Sequence, residues 1–181
     1  MGASNQLEHE VKLHEGTPLL IRPVQLEDEK PLRDMFAHCS AIDVHFRCCG
    51  AIKDFDEHMA HRLTHLDTET ETALVATNAP QHHPPEAIFG IAHIVMVPND
   101  PKTAEFDVMV RSDFKGHGLG YELMTEILQL ARRRGHCFVT GFILRENRTM
   151  LQMALELGFQ VEVAEGDMAQ VRIALSDASF N

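Results

Sequence analysis

The sequence predicts a single α/β domain, and two local patterns carry that prediction. Residues 87–97 and 103–111 are rich in apolar and β-branched side chains and are separated by a short proline-containing turn, which favours an antiparallel hairpin. From Gly118 the apolar period changes to that of an amphipathic helix, which ends in three arginines and Gly135. Interleaved strands and helices in a chain of 181 residues favour one mixed sheet covered by helices.

The other elements follow from the same periodicities. In chain order they are a strand at 18–23, a helix from residue 27 with Leu32, Met35 and Phe36 on one face, an irregular stretch at 40–50, a helix at 54–66, a strand at 72–77, a turn at 78–86, a strand at 137–144, a helix at 147–157 and a hairpin of 159–163 with 170–174. Residues 1–16 lack periodicity and are expected to be a polar tail, with the domain at 17–176 and a C-terminal tail at 177–181.

Acidic residues outnumber basic ones by 27 to 16, for a net charge of −11. Residues 1–110 hold 8 basic and 18 acidic side chains, whereas residues 111–181 hold 8 and 9. This balance argues against a nucleic-acid or anionic-membrane binder, because phosphate contacts need an excess of lysine and arginine. No apolar run approaches the roughly 20 residues of a membrane helix.

The four cysteines, two of them adjacent at Cys48 and Cys49, do not indicate a disulfide framework. The start of the chain is polar and acidic and lacks the basic and apolar regions of a signal peptide. We therefore expect a reducing, cytoplasmic location. No activating residue accompanies the adjacent pair, so small, partly buried side chains are expected there rather than a reactive thiol.

Three histidines could form a metal site: His58, His61 and His65 share one face of a predicted helix at spacings of three and four. Such a face presents imidazoles as metal ligands. No His-Glu-x-x-His signature or cysteine pair accompanies them, so solvated helix histidines are expected.

A glycine-rich loop joins the predicted hairpin to the long helix, with the sequence Lys115-Gly116-His117-Gly118-Leu119-Gly120. Glycines let backbone N–H groups approach an anion, and the helix N-terminus adds a partial positive charge, so the loop suits a pyrophosphate. The alternative is an ordinary tight turn. A P-loop is excluded because Gly-Lys-Ser/Thr is absent, and a dinucleotide fingerprint because the third glycine comes one residue early.

This loop resembles the pyrophosphate motif of the GNAT superfamily of acyl-CoA-dependent N-acetyltransferases: Gln or Arg, two residues, Gly, one residue, then Gly or Ala. Lys115 at the first position departs from the motif. A second family element follows in order, a helix that begins at Asn147 and leads to Gly158-Phe159. The resemblance implies a single GNAT-like domain, with a central mixed, mostly antiparallel sheet of about seven strands flanked by about four helices.

Within the superfamily, the chain is most similar to the acetyltransferase domain of Pat-type bacterial protein lysine acetyltransferases. The similarity spans about residues 18 to 175. The shared segments are residues 21–23, 40–48, 62–67, 73–76, 104–106, 146–147 and 150–151.

The resemblance implies that acetyl-CoA is the acyl donor and that no metal is required. The implied binding residues are Val108, Met109 and Val110 for the pantetheine, the loop Lys115, Gly116, His117, Gly118, Leu119, Gly120 and Tyr121 for the pyrophosphate, and Asn147 for the pantetheine arm. Residues 111–134, with five basic and three acidic side chains, are locally positive and suit a polyanionic cofactor.

The reacting amine must lose a proton, because a lysine with a pKa of about 10.4 is almost fully charged near neutral pH. Glu105 matches the glutamate that Pat-type enzymes use as general base, and strand alternation places Asp107 on the same face as the reserve candidate. Without the resemblance, Glu105 would be interpreted as a solvated strand carboxylate.

The sequence does not identify a general acid that protonates the departing thiolate. Many GNAT enzymes use a tyrosine seven residues after the asparagine, but that position here is Ala154, and the single tyrosine is Tyr121. A thiol with a pKa of about 8.5 leaves readily with help from water or with none.

Three functions are compatible with these residues. The first is acetylation of protein lysines, since an acidic half attracts basic surfaces. The second is acetylation of a small amine such as an aminoglycoside or a polyamine. The third is an acyl-CoA-binding sensor without turnover. The missing tyrosine is compatible with such a sensor, whereas Glu105 argues against it.

The expected partner is an amine acceptor, either a basic protein surface or a small amine, with no nucleic acid and no membrane. A homodimer is compatible with the sequence. Residues 40–50 either line the acceptor entrance or form a packed connecting loop.

Overall fold

The computed structural model describes residues 8–13, 18–47, 57–78 and 87–176. Its eight strands are β1 (His9–Lys12), β2 (Pro18–Pro23), β3 (Glu71–Thr77), β4 (Ile88–Val97), β5 (Asp100–Val110), β6 (Phe138–Leu144), β7 (Gln160–Glu165) and β8 (Met168–Ala174). Its five α-helices are α1 (Glu29–Ala37), α2 (Ala41–Arg47), α3 (Glu57–Thr64), α4 (Leu119–Arg133) and α5 (Arg148–Glu156).

The strands form one sheet in the order β1-β2-β3-β4-β5-β6-β8-β7. Every neighbouring pair is antiparallel except β5 and β6, which are parallel. Parallel neighbours need a crossover connection, and α4 provides it. The parallel pairing is short, running only from Thr103–Phe138 to Glu105–Thr140.

Apolar clusters cover both faces of the sheet. One cluster packs α4 against the sheet through side chains such as Leu123 and Ile127, each fully buried. The other packs α1 and α3 on the opposite face through Leu32 and Leu63, also fully buried. Burial on both faces explains why β4 is apolar almost throughout rather than alternating.

The predicted fold class is confirmed, with one strand and one helix more than expected. The hairpin of β4 and β5, the helix α4 and the last hairpin of β7 and β8 all form as predicted. Among the described residues, no helix is long and apolar enough to cross a membrane.

Two local expectations differ from the structure. Residues 41–47, expected to be irregular, form the helix α2, whose first turn is closed by a hydrogen bond from Ser40 Oγ to Asp43 (2.8 Å). Residues 9–12, expected to lie in a tail, form β1, which pairs with β2. Both elements are too short to show a period. The predicted turn at 78–86 and the pair Cys48-Cys49 lie outside the described residues, apart from residue 78.

A buried ion pair fixes the connection between β2 and α1. Arg22 is 3% exposed and Asp28 is 0% exposed. The guanidinium donates two hydrogen bonds to the carboxylate, at 2.7 and 2.8 Å, and the backbone N–H of Gln25 donates a third at 2.8 Å. Because both charges are removed from water, each depends on the other for its stabilisation.

We expect Asp28→Asn to lower the free energy of unfolding by about 3–5 kcal/mol, because the buried Arg22 charge loses its counterion. Urea denaturation monitored by circular dichroism measures the change. Glu27→Gln is the matched control, since Glu27 is the exposed preceding residue, and we expect a change within about 0.5 kcal/mol. Equal stabilities of the two variants would contradict this role for the pair.

Candidate active site

The divergence of β5 and β6 opens a cleft in the sheet. Pairing between these strands ends at Glu105, and β5 continues to Val110. The cleft has a volume of about 1160 Å³, and its walls come from the second half of β5, the glycine loop, α2 and α5. That volume suits an extended small molecule or cofactor.

The glycine loop and the start of α4 form one end of the cleft. Gly116 and Gly118 have φ values of 80° and 90°, a left-handed conformation that favours glycine. Gly118 is the N-cap of α4, and the N–H groups of the first helical turn have no intrahelical acceptor. The loop therefore presents backbone donors and a helix N-terminus to the cleft, as an anion site requires.

Nearly all of the residues implied by the resemblance come together in this cleft. Its walls include Glu105, Val108, Met109, Val110, Lys115, Gly116, Gly118, Leu119, Gly120, Tyr121 and Asn147. His117 is the exception: it is not part of the wall, and its ring lies beside that of Phe114, with centroids 5.5 Å apart. Asn147 also caps α5, as predicted, by accepting a hydrogen bond from the backbone N–H of Met150 at 3.2 Å.

Glu105 lies at the point where the two strands separate. It is partly buried, and in the described part of the chain no cation or hydrogen-bond donor contacts its carboxylate. Burial raises the pKa of Glu105 above its ordinary value, and the negative charge of Asp107 raises this pKa further.

Asp107, two residues further along β5, has the opposite environment. Arg47 Nη2 lies 2.6 Å from one carboxylate oxygen, and His93 Nδ1 lies 3.1 Å from the other. Burial alone would raise the pKa of Asp107, but the positive charge of Arg47 and the hydrogen bond with His93 outweigh it and hold the pKa below its usual range. Asp107 is thus the ionised, paired carboxylate of the two.

The partner His93 was not singled out by the sequence. It is 2% exposed, and its Nε2 lies 2.9 Å from the Glu71 carboxylate, so its ring lies between two carboxylates on neighbouring strands. The hairpin register places His93 directly opposite Asp107. A polar residue inside an apolar strand, paired through the predicted hairpin with an aspartate, is the signal that could have identified it.

The helix α2 supplies a wall of the cleft through Asp43, Phe46 and Arg47. Of the two alternatives for residues 40–50, the described part is therefore a helix that lines the cleft. Lys115 Nζ and Ser112 Oγ both contact the Asp43 carboxylate. Burial would raise the pKa of Asp43, but hydrogen bonds from Lys115 and Ser112 outweigh it and lower this pKa.

The position of the family's catalytic tyrosine holds no acid. Ala154 is fully buried in the apolar core. Tyr121 is 42% exposed and lines the cleft near the glycine loop.

The sequence profile of the acetyltransferase (GNAT) family matches residues 40–159, more than half of the chain. The chain belongs to this family. It is 29% identical over 165 residues to acetyltransferase PA5475 of Pseudomonas aeruginosa, covering 90% of this chain and 87% of that protein. This GNAT acetyltransferase is also similar to solved structures of other acetyltransferases.

The first is the crystal structure of the GNAT domain of S. lividans PAT, with a TM-score of 0.84, 19% identity and coverage of 93% of this chain and 97% of that one. The second is spermidine N-acetyltransferase from Vibrio cholerae in complex with CoA and spermine, with a TM-score of 0.68, 16% identity and coverage of 87% and 96%. At these identities the likeness shows a common fold.

The prediction of an acetyl-CoA-dependent N-acetyltransferase is thereby confirmed at the level of the family. The cleft suits such a donor, because the loop lacks side chains at Gly116, Gly118 and Gly120, and an extended cavity lies beside β5. Acetyl-CoA, when bound, supplies the activated acetyl group.

The two carboxylates of β5 should titrate in opposite directions. In a ¹³C NMR titration of side-chain carboxyl groups, we expect Glu105 above the ordinary glutamate pKa and Asp107 below the ordinary aspartate pKa. Asp107→Asn should lower the pKa of Glu105, because a neighbouring negative charge is removed. Asp100→Asn, an exposed change on the same strand, should leave it unaltered. An unchanged Glu105 pKa in Asp107→Asn would contradict this coupling.

Proposed function

We propose that this enzyme acetylates lysine side chains of proteins, with Glu105 as the general base. The observation that carries the proposal is the state of Glu105 in the cleft. Its carboxylate is the one whose pKa is raised, whereas Asp43 and Asp107 contact cations and have lowered pKa values. A carboxylate with a raised pKa accepts a proton more strongly, which suits a general base.

The proposed reaction is direct transfer. The acceptor ammonium gives a proton to Glu105, directly or through a water molecule, which frees the nitrogen lone pair. The nitrogen then attacks the thioester carbonyl, a carbon–nitrogen bond forms, and the carbon–sulfur bond breaks. The nitrogen loses its extra proton, directly or through water, to the departing thiolate, so the products are the amide and the free CoA thiol. The departing thiolate has a conjugate pKa of about 8.5 and needs little assistance, which agrees with an apolar Ala154 at the family's acid position.

The donor is proposed to lie along residues 106–110 of β5, the part of this strand that does not pair with β6. Its pantetheine would pair with the backbone of Val108, Met109 and Val110, and Asn147 would contact the same arm from α5. Its pyrophosphate would sit on the N–H groups of residues 116–121, near Lys115. The strand rises about 3.3 Å per residue, so Glu105 and Val110 are separated by about 17 Å along the cleft. This separation places the phosphates and the reacting end of the donor at different ends.

A protein acceptor is supported by charge and by similarity. Residues 1–110, which contribute α2 and the β5 carboxylates, carry 18 acidic and 8 basic side chains. Such a half attracts the basic surfaces that surround many lysines. The resemblance of segments such as residues 104–106 and 146–147 to Pat-type protein lysine acetyltransferases supports the same acceptor.

A small polyamine is the second candidate. Four carboxylates line the cleft, and several negative charges in one cavity suit a compact polycation; they belong to Asp43, Glu105, Asp107 and Glu156. The neighbouring fold of spermidine N-acetyltransferase, solved with CoA and spermine, supports this alternative.

We expect Glu105→Gln to lower kcat/KM by about 100- to 10,000-fold, the usual contribution of a positioned base. Release of free thiol measures the rate, and the thermal stabilisation by acetyl-CoA measures donor binding, which should be retained. Glu27→Gln, an exposed change outside the cleft, is the control for loss of one negative charge. Turnover that is unchanged in Glu105→Gln would exclude this residue as the base.

Acceptor class is tested by giving the enzyme isotope-labelled acetyl-CoA with a cell lysate and, separately, with a library of small amines. We expect label on lysine ε-amines of proteins, detected by mass spectrometry of tryptic peptides. The Glu105→Gln variant, run in parallel, corrects for non-enzymatic acetylation and should show little label. Labelling of polyamines alone would replace the protein acceptor by the small-amine alternative, and labelling of neither class would favour a sensor without turnover.

A further inference from the structure

A cluster of two imidazoles and a carboxylate lies where α3 packs beside α1, outside the cleft. His61 lies in the last turn of α3, His65 directly follows its last residue, and Glu29 is the first residue of α1. One ligand atom from each of the three residues lies within 4.8 Å of those of the other two. His58, which shares the spacing in the sequence, does not belong to this group.

The hydrogen bonds of the two rings involve Nδ1 and leave Nε2 of each ring for a ligand. His61 Nδ1 lies 2.9 Å from Glu29 Oε2, and His65 Nδ1 lies 2.9 Å from the backbone carbonyl of His61. The Thr64 hydroxyl, 3.1 Å from His65 Nδ1, donates its own proton to backbone carbonyls of the preceding turn. A carboxylate and a carbonyl accept hydrogen bonds, so the neutral rings carry their proton on Nδ1. The lone pair is then on Nε2 of each ring.

This arrangement is the one that metal-binding histidines adopt. A ligating histidine commonly donates its other ring N–H to a carboxylate or a backbone carbonyl, which fixes the tautomer and the ring orientation. Here one ring has a carboxylate partner and the other a carbonyl partner. The two rings are stacked, with centroids 3.8 Å apart and planes 25° from parallel.

The cluster is accessible and carries a compensating charge. The His61 side chain is 59% exposed, so an ion can enter and the rings can adjust. Glu29, whose carboxylate lies 2.9 Å from His61 Nδ1, supplies a negative charge beside the rings. Imidazole nitrogen with a nearby carboxylate favours zinc, nickel or copper over calcium and magnesium.

We propose that His61 and His65 bind a divalent transition-metal ion of the zinc class through Nε2. Glu29 orients His61 and offsets the charge of the ion, and water completes the coordination shell. The ion joins two side chains one turn apart at the C-terminal end of α3, and it stabilises the folded chain because it binds only where the two rings are held together. None of the three residues lines the cleft, so the site is separate from acetyl transfer. The proposal replaces the expectation that these histidines are only solvated.

The test uses the full chain without an affinity tag, freed of metal by a chelator. Titration with Zn²⁺ by calorimetry should give one saturable site, and Co²⁺ should give visible absorption bands from bound imidazole. His61→Gln and His65→Gln should each abolish saturable binding. Glu29→Gln should weaken binding by about 10- to 100-fold, as loss of an orienting partner does.

His58→Gln is the matched control, because it removes a histidine of the same helix from outside the cluster. It should leave the affinity unchanged, and circular dichroism establishes that each variant is folded. Zn²⁺ should raise the melting temperature of the natural chain and of His58→Gln but not of His61→Gln. Saturable binding that survives both His61→Gln and His65→Gln, or no saturation of the natural chain, would overturn the proposal.

Discussion

The short parallel pairing of β5 with β6 is the constraint on which the site depends. Three residue pairs join these strands before they diverge. Phe106 is the first residue of β5 beyond the pairing with β6. Its ring lies so close to Gly141 of β6 that a Cβ atom on this glycine would be 2.4 Å from the ring. The ring also lies against Phe159, with centroids 5.2 Å apart. The Phe106 ring thus fills the space that a side chain at position 141 would need. The crossover that parallel strands require then brings the N-terminus of α4 to the open end of the same strand.

Glu105 and Asp107 show how tertiary contacts separate two equivalent carboxylates. They are two residues apart on one strand, so alternation alone gives them the same face. The sheet brings His93 of β4 opposite Asp107, and α2 brings Arg47 to the same carboxylate. Asp107 is consequently held ionised, and its charge in turn raises the pKa of Glu105. One carboxylate is stabilised in its charged form, and the other becomes the stronger base.

Elements with a clear local periodicity could be predicted from the sequence, whereas elements held by contacts between distant residues could not. The β4–β5 hairpin, the glycine loop and α4 follow from patterns within a few turns or strands. The candidate donor-binding residues and Glu105 came from the resemblance to the GNAT superfamily. By contrast, α2 has seven residues and is held by contacts of Asp43 with residues 112 and 115, far away in sequence. The contact of Glu29 with His61 joins residues 32 positions apart. A contact between residues far apart in the sequence leaves no local periodicity, so α2 and the contact of Glu29 with His61 could be identified only from the three-dimensional structure.

The one departure from the family motif has a structural counterpart. At position 115 the family has Gln or Arg, and this chain has Lys. Its Nζ contacts Asp43, which is only 9% exposed and also accepts hydrogen bonds from Ser40 and Ser112. A glutamine there would leave this carboxylate without a cation beside a loop shaped for anions, which is unfavourable. Lysine offers a compact charge on a flexible stem, and here that charge reaches the Asp43 carboxylate from within the loop. Residues 43 and 115 are therefore explained together, as a pair that joins α2 to the glycine loop.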